Sequence, residues 1–173
     1  ASLVLTVGGA AMFCLLEWNN PGTLGAMSVG DKLLNGLFQS VTLRTAGFAS
    51  IDQALLTDAG KAVSVVLMLI GGSSGSTAGG LKVSRVMLLF KTVGRELKRL
   101  VHPRSVSVVR LEGKRVEETT VHSTAAYFIL YFMLLFGGFL LIAWEPFSLE
   151  TNLTAVITCI NNVGPGLGEV GPM

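Results

Sequence analysis

The sequence predicts an all-α membrane protein built from helix, re-entrant loop, helix repeats, and three observations carry that expectation. Half of the residues are hydrophobic and 14% are charged, with a mean hydropathy of +0.62, a balance more apolar than that of ordinary soluble domains. The stretch Ser40 to Asp52, Ser-Val-Thr-Leu-Arg-Thr-Ala-Gly-Phe-Ala-Ser-Ile-Asp, has a weaker echo in Ile157 to Glu169. One sequence offset places Gly47 on Gly164 and Asp52 on Glu169, as expected of two copies of one unit. Finally, ten of the 13 basic residues, Lys82, Arg85, Lys91, Arg95, Lys98, Arg99, Arg104, Arg110, Lys114 and Arg115, lie in one stretch between apolar runs. Such clusters beside membrane spans face the cytoplasm, so the Lys82 to Arg115 region is expected inside. The cluster lies between apolar spans and holds a single Phe, Phe90, among its ten cations, which argues against nucleic-acid binding.

Ala1 to Trp18 is almost continuously apolar and reaches the length at which a helix begins to span a bilayer, about 18 residues. It carries no charged leader segment and reads as a spanning helix cut short at its start. Trp18 is suited to the interface, and Asn19 to Gly30 reads as a loop. Asp31 is expected to cap a short helix to about Leu43, in which Leu33, Leu34, Leu37, Phe38 and Val41 recur at helical spacing. That helix is too short to cross, so it is a buried or re-entrant one. Ala59 to Ile70 starts a second span, interrupted by Gly71-Gly-Ser-Ser-Gly-Ser-Thr-Ala-Gly-Gly80, with five Gly and three Ser in ten residues. Interior glycines cost a helix about 0.5–1 kcal/mol each relative to Ala, so the helix breaks here. At a rise of 1.5 Å per residue the break lies about 18 Å deep, where a loop can obstruct a pore from the inside.

From Leu81 an apolar and basic helix runs into a polar connection, Thr92 to Thr120, that holds Pro103. Val121 to Trp144 is the clearest span, rich in aromatics and closed by Trp144-Glu145-Pro146. Leu149 to Ile160 then repeats the short helix and Asn161 to Gly168 the loop. Starting inside, this span ends outside, so both loops dip from the external face. The organisation is thus a first repeat at 1–98 with a broken second helix, a basic cytoplasmic connection at 99–119, and a second repeat at 120–173 with helix and loop only.

Irregular backbone at membrane depth persists only where it lines a cavity or is buried in protein. Two helices whose C-terminal, partially negative ends aim into the membrane favour a cation there, and free carbonyls near Gly47 and Gly164 would meet it. Asp52 and Glu169 read equally as an acidic mouth that concentrates cations and as ordinary helix caps. Arg44 either braces the loop through an acid or repels a second ion. Lys82 and Arg85 either tether the Gly-rich loop to a cytosolic partner or snorkel to the interface. Gly72-Ser73-Ser74-Gly75 invites comparison with rhomboid-type intramembrane serine proteases, with His122 as base, but His122 lies about one turn into its span, too shallow to reach Ser74. A phosphate cradle is excluded because Leu81 stands where G-x-x-x-x-G-K-[ST] requires Lys. A membrane scaffold would explain the spans but not the matched loops. Cys14 and Cys159 lie in apolar runs and suggest no disulfide, and His102 and His122 suggest no metal site.

Arg44-Thr45-Ala46-Gly47-Phe48, Gly71 to Gly80 followed by Leu81-Lys82-Val83, and Asn161-Asn-Val-Gly-Pro-Gly-Leu-Gly168 together resemble the Trk/Ktr/HKT superfamily of potassium transporters, most closely the bacterial Trk-type membrane subunit. The resemblance implies potassium-channel-like repeats, here the third complete and the fourth without its last helix. It implies that carbonyls of Thr45, Ala46, Gly47, Asn162, Val163 and Gly164 line two of four filter walls. It also implies that Gly71, Gly72, Ser73, Ser74, Gly75, Ser76, Thr77, Ala78, Gly79 and Gly80 form a gate below the filter. The implied cargo is K+, with Na+ open, and no covalent cofactor or enzyme activity is expected. Implied partners are membrane lipid, the missing repeats of the same chain, a second copy in a homodimer, and a cytosolic nucleotide-binding subunit of the RCK type, at the bacterial inner membrane.

Overall fold

A computed structural model describes residues 1–102, 108–111 and 113–171. Pro103 and Arg104 of the expected connection lie outside the described residues. Six helices dominate: α1 (Ser2–Glu17), α2 (Val29–Thr42), α3 (Asp58–Leu69), α4 (Val83–Val101), α5 (Glu118–Ile142) and α6 (Leu149–Asn161). Between α4 and α5, β1 (Arg110–Leu111) pairs antiparallel with β2 (Lys114–Arg115). Short 3-10 turns, Gln53–Leu55 and Gly168–Val170, follow the two matched loops.

Three helices start on a hydroxyl that takes up an otherwise orphaned backbone N–H. Ser28 accepts from Asp31 N at 3.3 Å, Thr57 from Gly60 N at 3.1 Å and Ser148 from Thr151 N at 3.2 Å. The cap of α2 is therefore Ser28, not Asp31. Asp31 sits in the first turn and its carboxylate accepts from Ser28 Oγ at 2.7 Å.

Helix α1 packs most closely on α2, and small residues make the approach possible. Gly9 lies against Ser40, whose hydroxyl donates to Thr6 O at 2.8 Å. A Cβ at Gly36 would stand 2.6 Å from Cys14 Sγ. At the far end of α1, Lys32 donates to Trp18 O at 2.8 Å and lies 4.8 Å from the indole centroid. It thus satisfies a C-terminal carbonyl with a cation, where the helix end favours positive charge.

The apolar stripe of α2 faces outward. Leu33, Leu34, Leu37, Phe38 and Val41 are exposed, whereas Lys32, Gly36, Gln39 and Ser40 are buried. A soluble helix would invert that pattern. Helix α5 shows the same inversion: Ile129, Met133, Phe136 and Leu141 point out, and only one line through Phe128, Tyr131 and Leu135 is buried. Among the described residues α5 is the one helix long and apolar enough to cross a membrane, with 25 residues and a mean hydropathy of 2.3. Helix α1 is apolar but has 16 residues, short of the ~20 a straight span needs.

Phe13, Leu43, Met68, Leu81, Phe128, Val156 and Leu167 form one core joining both repeats. Lys61 in the first turn of α3 pairs with Glu150 in the first turn of α6 at 2.9 Å, so the starts of these helices lie side by side. On the basic side, Arg95 of α4 holds Glu118 of α5 at 2.5 Å.

Candidate functional site: two matched loops and a Gly-rich hairpin

Each short helix ends in the same backbone sequence of events. After α2, Thr45 has φ 74° and Gly47 φ 81°; after α6, Asn162 has φ 52° and Gly164 φ 105°. Thr45 and Asn162 are the non-glycine residues with positive φ among those described, and they occupy equivalent places in the repeat. Two residues forced into the left-handed region, each followed two positions later by a glycine there, reverse the chain within one turn of helix.

The loops meet each other. A Cβ at Gly47 would stand 3.0 Å from Val163 O, and one at Gly164 would stand 3.3 Å from Gly47 Cα. Thr45, Ala46, Gly47, Asn162, Val163 and Gly164 all border one cleft of about 350 Å³, with Thr158 and Cys159 behind them. Among the described residues, no N–H or hydroxyl donates to the carbonyls of these six, although the flanking carbonyls of Thr42, Thr158 and Pro165 all accept hydrogen bonds. Backbone oxygens that bond neither protein nor helix are available as ligands for a cation.

Different scaffolds hold the two loops. In the second, hydroxyls on one face of α6 lace the returning strand. Thr158 Oγ1 donates to Pro165 O at 3.2 Å, Thr154 Oγ1 accepts from Leu167 N at 3.2 Å, and Thr151 Oγ1 accepts from Glu169 N at 3.4 Å. These threonines correspond in the repeat to Leu34, Leu37 and Val41 of α2, which cannot do this. The first loop is closed instead by Thr42 Oγ1, which accepts from Phe48 N at 2.9 Å and donates to Phe48 O. It is further tied by Arg44, whose guanidinium donates to Ser2 O at 3.2 Å, Thr6 Oγ1 at 2.8 Å and Gly71 O at 3.2 Å. Arg44 is thus a brace, but through carbonyls and a hydroxyl and not through an acid.

Gly71 to Gly80 forms a hairpin between α3 and α4. Gly71 N donates to Leu81 O at 3.0 Å, Leu81 N to Leu69 O at 3.2 Å and Val83 N to Gly72 O at 3.2 Å, which pinch the hairpin at its base. Its tip, Ser73 to Thr77, is exposed. Gly79 lies so close to the Asn161 carbonyl that a Cβ there would collide with it, so the hairpin abuts the last residue of α6. Asn161 is fully buried, accepts from Tyr131 Oη at 2.8 Å and donates to Ile157 O at 2.9 Å. A second cleft, of about 450 Å³, is bordered by Ser73, Ser76, Thr77 and Ala78 of the hairpin on one side and by Arg44, Thr45, Ala46 and Asn162 on the other.

With this geometry in hand, comparison with known proteins decides the family. The profile of the TrkH family, described as cation transport protein, matches residues 1–172. The chain belongs to the TrkH family. It is 34% identical over 164 residues to the Ktr system potassium uptake protein B of Vibrio alginolyticus, covering 95% of this chain and 35% of that protein. It is 37% identical over 147 residues to the Trk system potassium uptake protein TrkH of Vibrio parahaemolyticus, covering 81% of this chain and 29% of that protein. The crystal structure of the potassium transporter TrkH from Vibrio parahaemolyticus superimposes with a TM-score of 0.85 at 32% identity, over 97% of this chain and 36% of that one. The chain therefore spans about a third of the length of these TrkH-family relatives, and the all-α fold with pore-loop repeats is shared.

The remaining predicted residues fall as follows. Asp52 caps the first 3-10 turn, its carboxylate accepting from Ala54 N at 2.9 Å, while Glu169 is exposed within the second. The Lys82 ammonium folds back onto Ser76 O and Ala78 O. Arg85 stacks over Tyr127 at 4.2 Å. Ser74 Oγ pairs with Ser84 Oγ at 2.5 Å, an arrangement without a base, and membership of a cation transport family leaves the protease reading unsupported. Sequence reasoning overlooked Asn161, Tyr131 and the threonine ladder of α6, although the spacing Thr151, Thr154, Thr158 on one helical face was visible.

Proposed function

We propose that this chain supplies two of four filter walls of a potassium uptake transporter and the gate beneath them. The observation that carries the proposal is the set of six unclaimed carbonyls, on Thr45, Ala46, Gly47, Asn162, Val163 and Gly164, bordering one cleft. Carbonyl oxygens replace the hydration shell of an alkali ion as it enters. Two loops make half a ring, and the outward stripe Leu33, Leu34, Leu37, Phe38 and Val41 of α2 is apolar surface suited to the other repeats or to lipid. The relatives named potassium uptake proteins favour K+ as cargo. Gly71 to Gly80, pressed against the end of α6, is the gate. Asp52 and Glu169 contribute to an acidic outer mouth, and the basic region of α4 faces the cytoplasm, where an RCK-type nucleotide-binding subunit docks on a homodimer at the bacterial inner membrane.

The test is uptake of labelled potassium, with sodium as competitor, by cells that lack their own uptake systems and express the full-length protein. Gly47→Ser and Gly164→Ser each place a side chain in the cleft on a backbone that disfavours one, so uptake falls and preference for potassium narrows. Unchanged uptake and preference at normal surface expression refute the filter assignment.

A further inference from the structure

Two protein cations bond carbonyls of the Gly-rich hairpin, beside the backbone bonds that pinch its base. Arg44 takes the Gly71 carbonyl from the filter side. Lys82 takes two more: Nζ donates to Ser76 O at 2.6 Å and to Ala78 O at 2.5 Å. Lys82 is the residue from which α4 starts, with φ −60° and ψ 136°, so its backbone leaves the hairpin while its side chain turns back across it. Among the described residues no carboxylate pairs with it. An ammonium is a compact point charge satisfied by oxygen ligands, as a potassium ion is. Ser76 and Ala78 border the same cleft as Thr45, Ala46 and Asn162 of the two matched loops, which on the proposed filter reading puts these carbonyls within reach of ions leaving the loops.

We propose that the Ser76 and Ala78 carbonyls form a monovalent-cation site on the hairpin, that the Lys82 ammonium fills it as a tethered ion, and that a permeating alkali ion competes with that ammonium. With the ammonium seated, the hairpin is compact and pressed on Asn161. When an alkali ion takes the carbonyls, Lys82 is released and the hairpin loses the ammonium crosslink between its tip and the start of α4, keeping only the Ser74–Ser84 hydroxyl pair there. Ion arrival from the filter thereby loosens its own obstruction. This inference rests on the reading of Gly71 to Gly80 as the gate.

The experiment measures radioactive rubidium flux into proteoliposomes holding the full-length protein with Lys82→Met, Lys82→Gln, Lys82→Ala, Lys82→Arg or Gly79→Ala. Loss of two charge-assisted bonds raises flux about tenfold in the Met, Gln and Ala variants, and Arg, which can still donate to both carbonyls, stays within about twofold. Ethylammonium, an untethered copy of the lost group, returns the Lys82→Ala flux toward wild type. Gly79→Ala, which collides with Asn161, alters flux whether or not Lys82 matters. If Gly79→Ala changes flux and the Lys82 variants do not, the cation site is wrong and the gate stands. If none of them changes flux, the gate reading falls and the inference with it. Raised flux that ethylammonium leaves untouched makes Lys82 a plain brace and refutes the site. Should Lys82→Met fail to elute as a folded species, the Gln and Ala variants decide.

Discussion

Glu17 offers the sharpest test of how the first repeat is held together. It is fully buried at the end of α1, where an unpaired carboxylate would be costly. Four donors surround it: Asn20 Nδ2 at 2.6 Å and Thr23 Oγ1 at 2.8 Å on one oxygen, Thr57 Oγ1 at 2.6 Å and Thr57 N at 3.0 Å on the other. Gly60 lies against the carboxylate, and a Cβ there would collide with it. Glu17→Gln keeps the shape and replaces one acceptor oxygen with a donor. If the retained oxygen faces Thr57, two bonds to a charged group are lost, each about 1.5–3 kcal/mol. The Thr23 hydroxyl can rotate to accept, which recovers part, so the expected net loss is about 3 kcal/mol. For a cooperative unit of this size that corresponds to a fall in melting temperature of about 6–12 °C, read by size-exclusion fluorescence of the heated, detergent-solubilised protein. Glu17→Ala should fall further, because it removes the acceptor of all four bonds and only Asn20 Nδ2 keeps another partner, Leu55 O. A Glu17→Gln melting temperature within about 2 °C of wild type would mean that the carboxylate is not the link between α1 and α3.

Thr154→Val removes the hydroxyl that serves Leu167 while keeping the volume, leaving a buried N–H unpaired at about 1–3 kcal/mol; the expected result is a reduced potassium-over-sodium preference in competition uptake, with expression unchanged. Lys61→Glu and Glu150→Lys should each lower the melting temperature by a few degrees, as a half-exposed pair is worth about 1 kcal/mol or less, and the double exchange should restore it. Gly36→Leu drives a side chain into Cys14 and should cost about 1–3 kcal/mol by overpacking, seen as loss of the folded peak on the same column.

Much of the framework was legible in the residues because the bilayer and the repeat are both blunt signals. The break between α3 and α4, the long span of α5 and the matching of the two loops follow from runs of Gly, apolar length and a shared offset, none of which needs tertiary knowledge. Faces and partners were harder. The stripe Leu33, Leu34, Leu37, Phe38, Val41 has the spacing of a buried helical face, yet it points outward, since periodicity tells one side of a helix from the other but not which side meets protein when the surroundings are apolar too. Asp31 looked like a cap because it precedes the apolar run, but Ser28 begins the helix a turn earlier. Lys82 could not be placed from sequence at all, because long flexible side chains near a loop can serve water, lipid or backbone, and only the fold brings Ser76 O and Ala78 O beneath its ammonium.

The two matched loops share a backbone path but not the means of holding it, and that asymmetry constrains how the site can respond. The second loop is laced to its own helix by Thr151, Thr154 and Thr158 and anchored through Asn161 to Tyr131 of α5; none of these supports involves the Gly-rich hairpin. The first loop leans on Arg44, and Arg44 also holds α1 and the base of the Gly-rich hairpin. A displacement of the hairpin therefore pulls on Thr45 through one side chain, whereas on the other side Gly79 merely touches Asn161. A contact can push but not pull, while a hydrogen-bonded guanidinium does both. On the proposed reading of the hairpin as a gate, the first loop is the one that can follow it, and the second is the one that holds its shape.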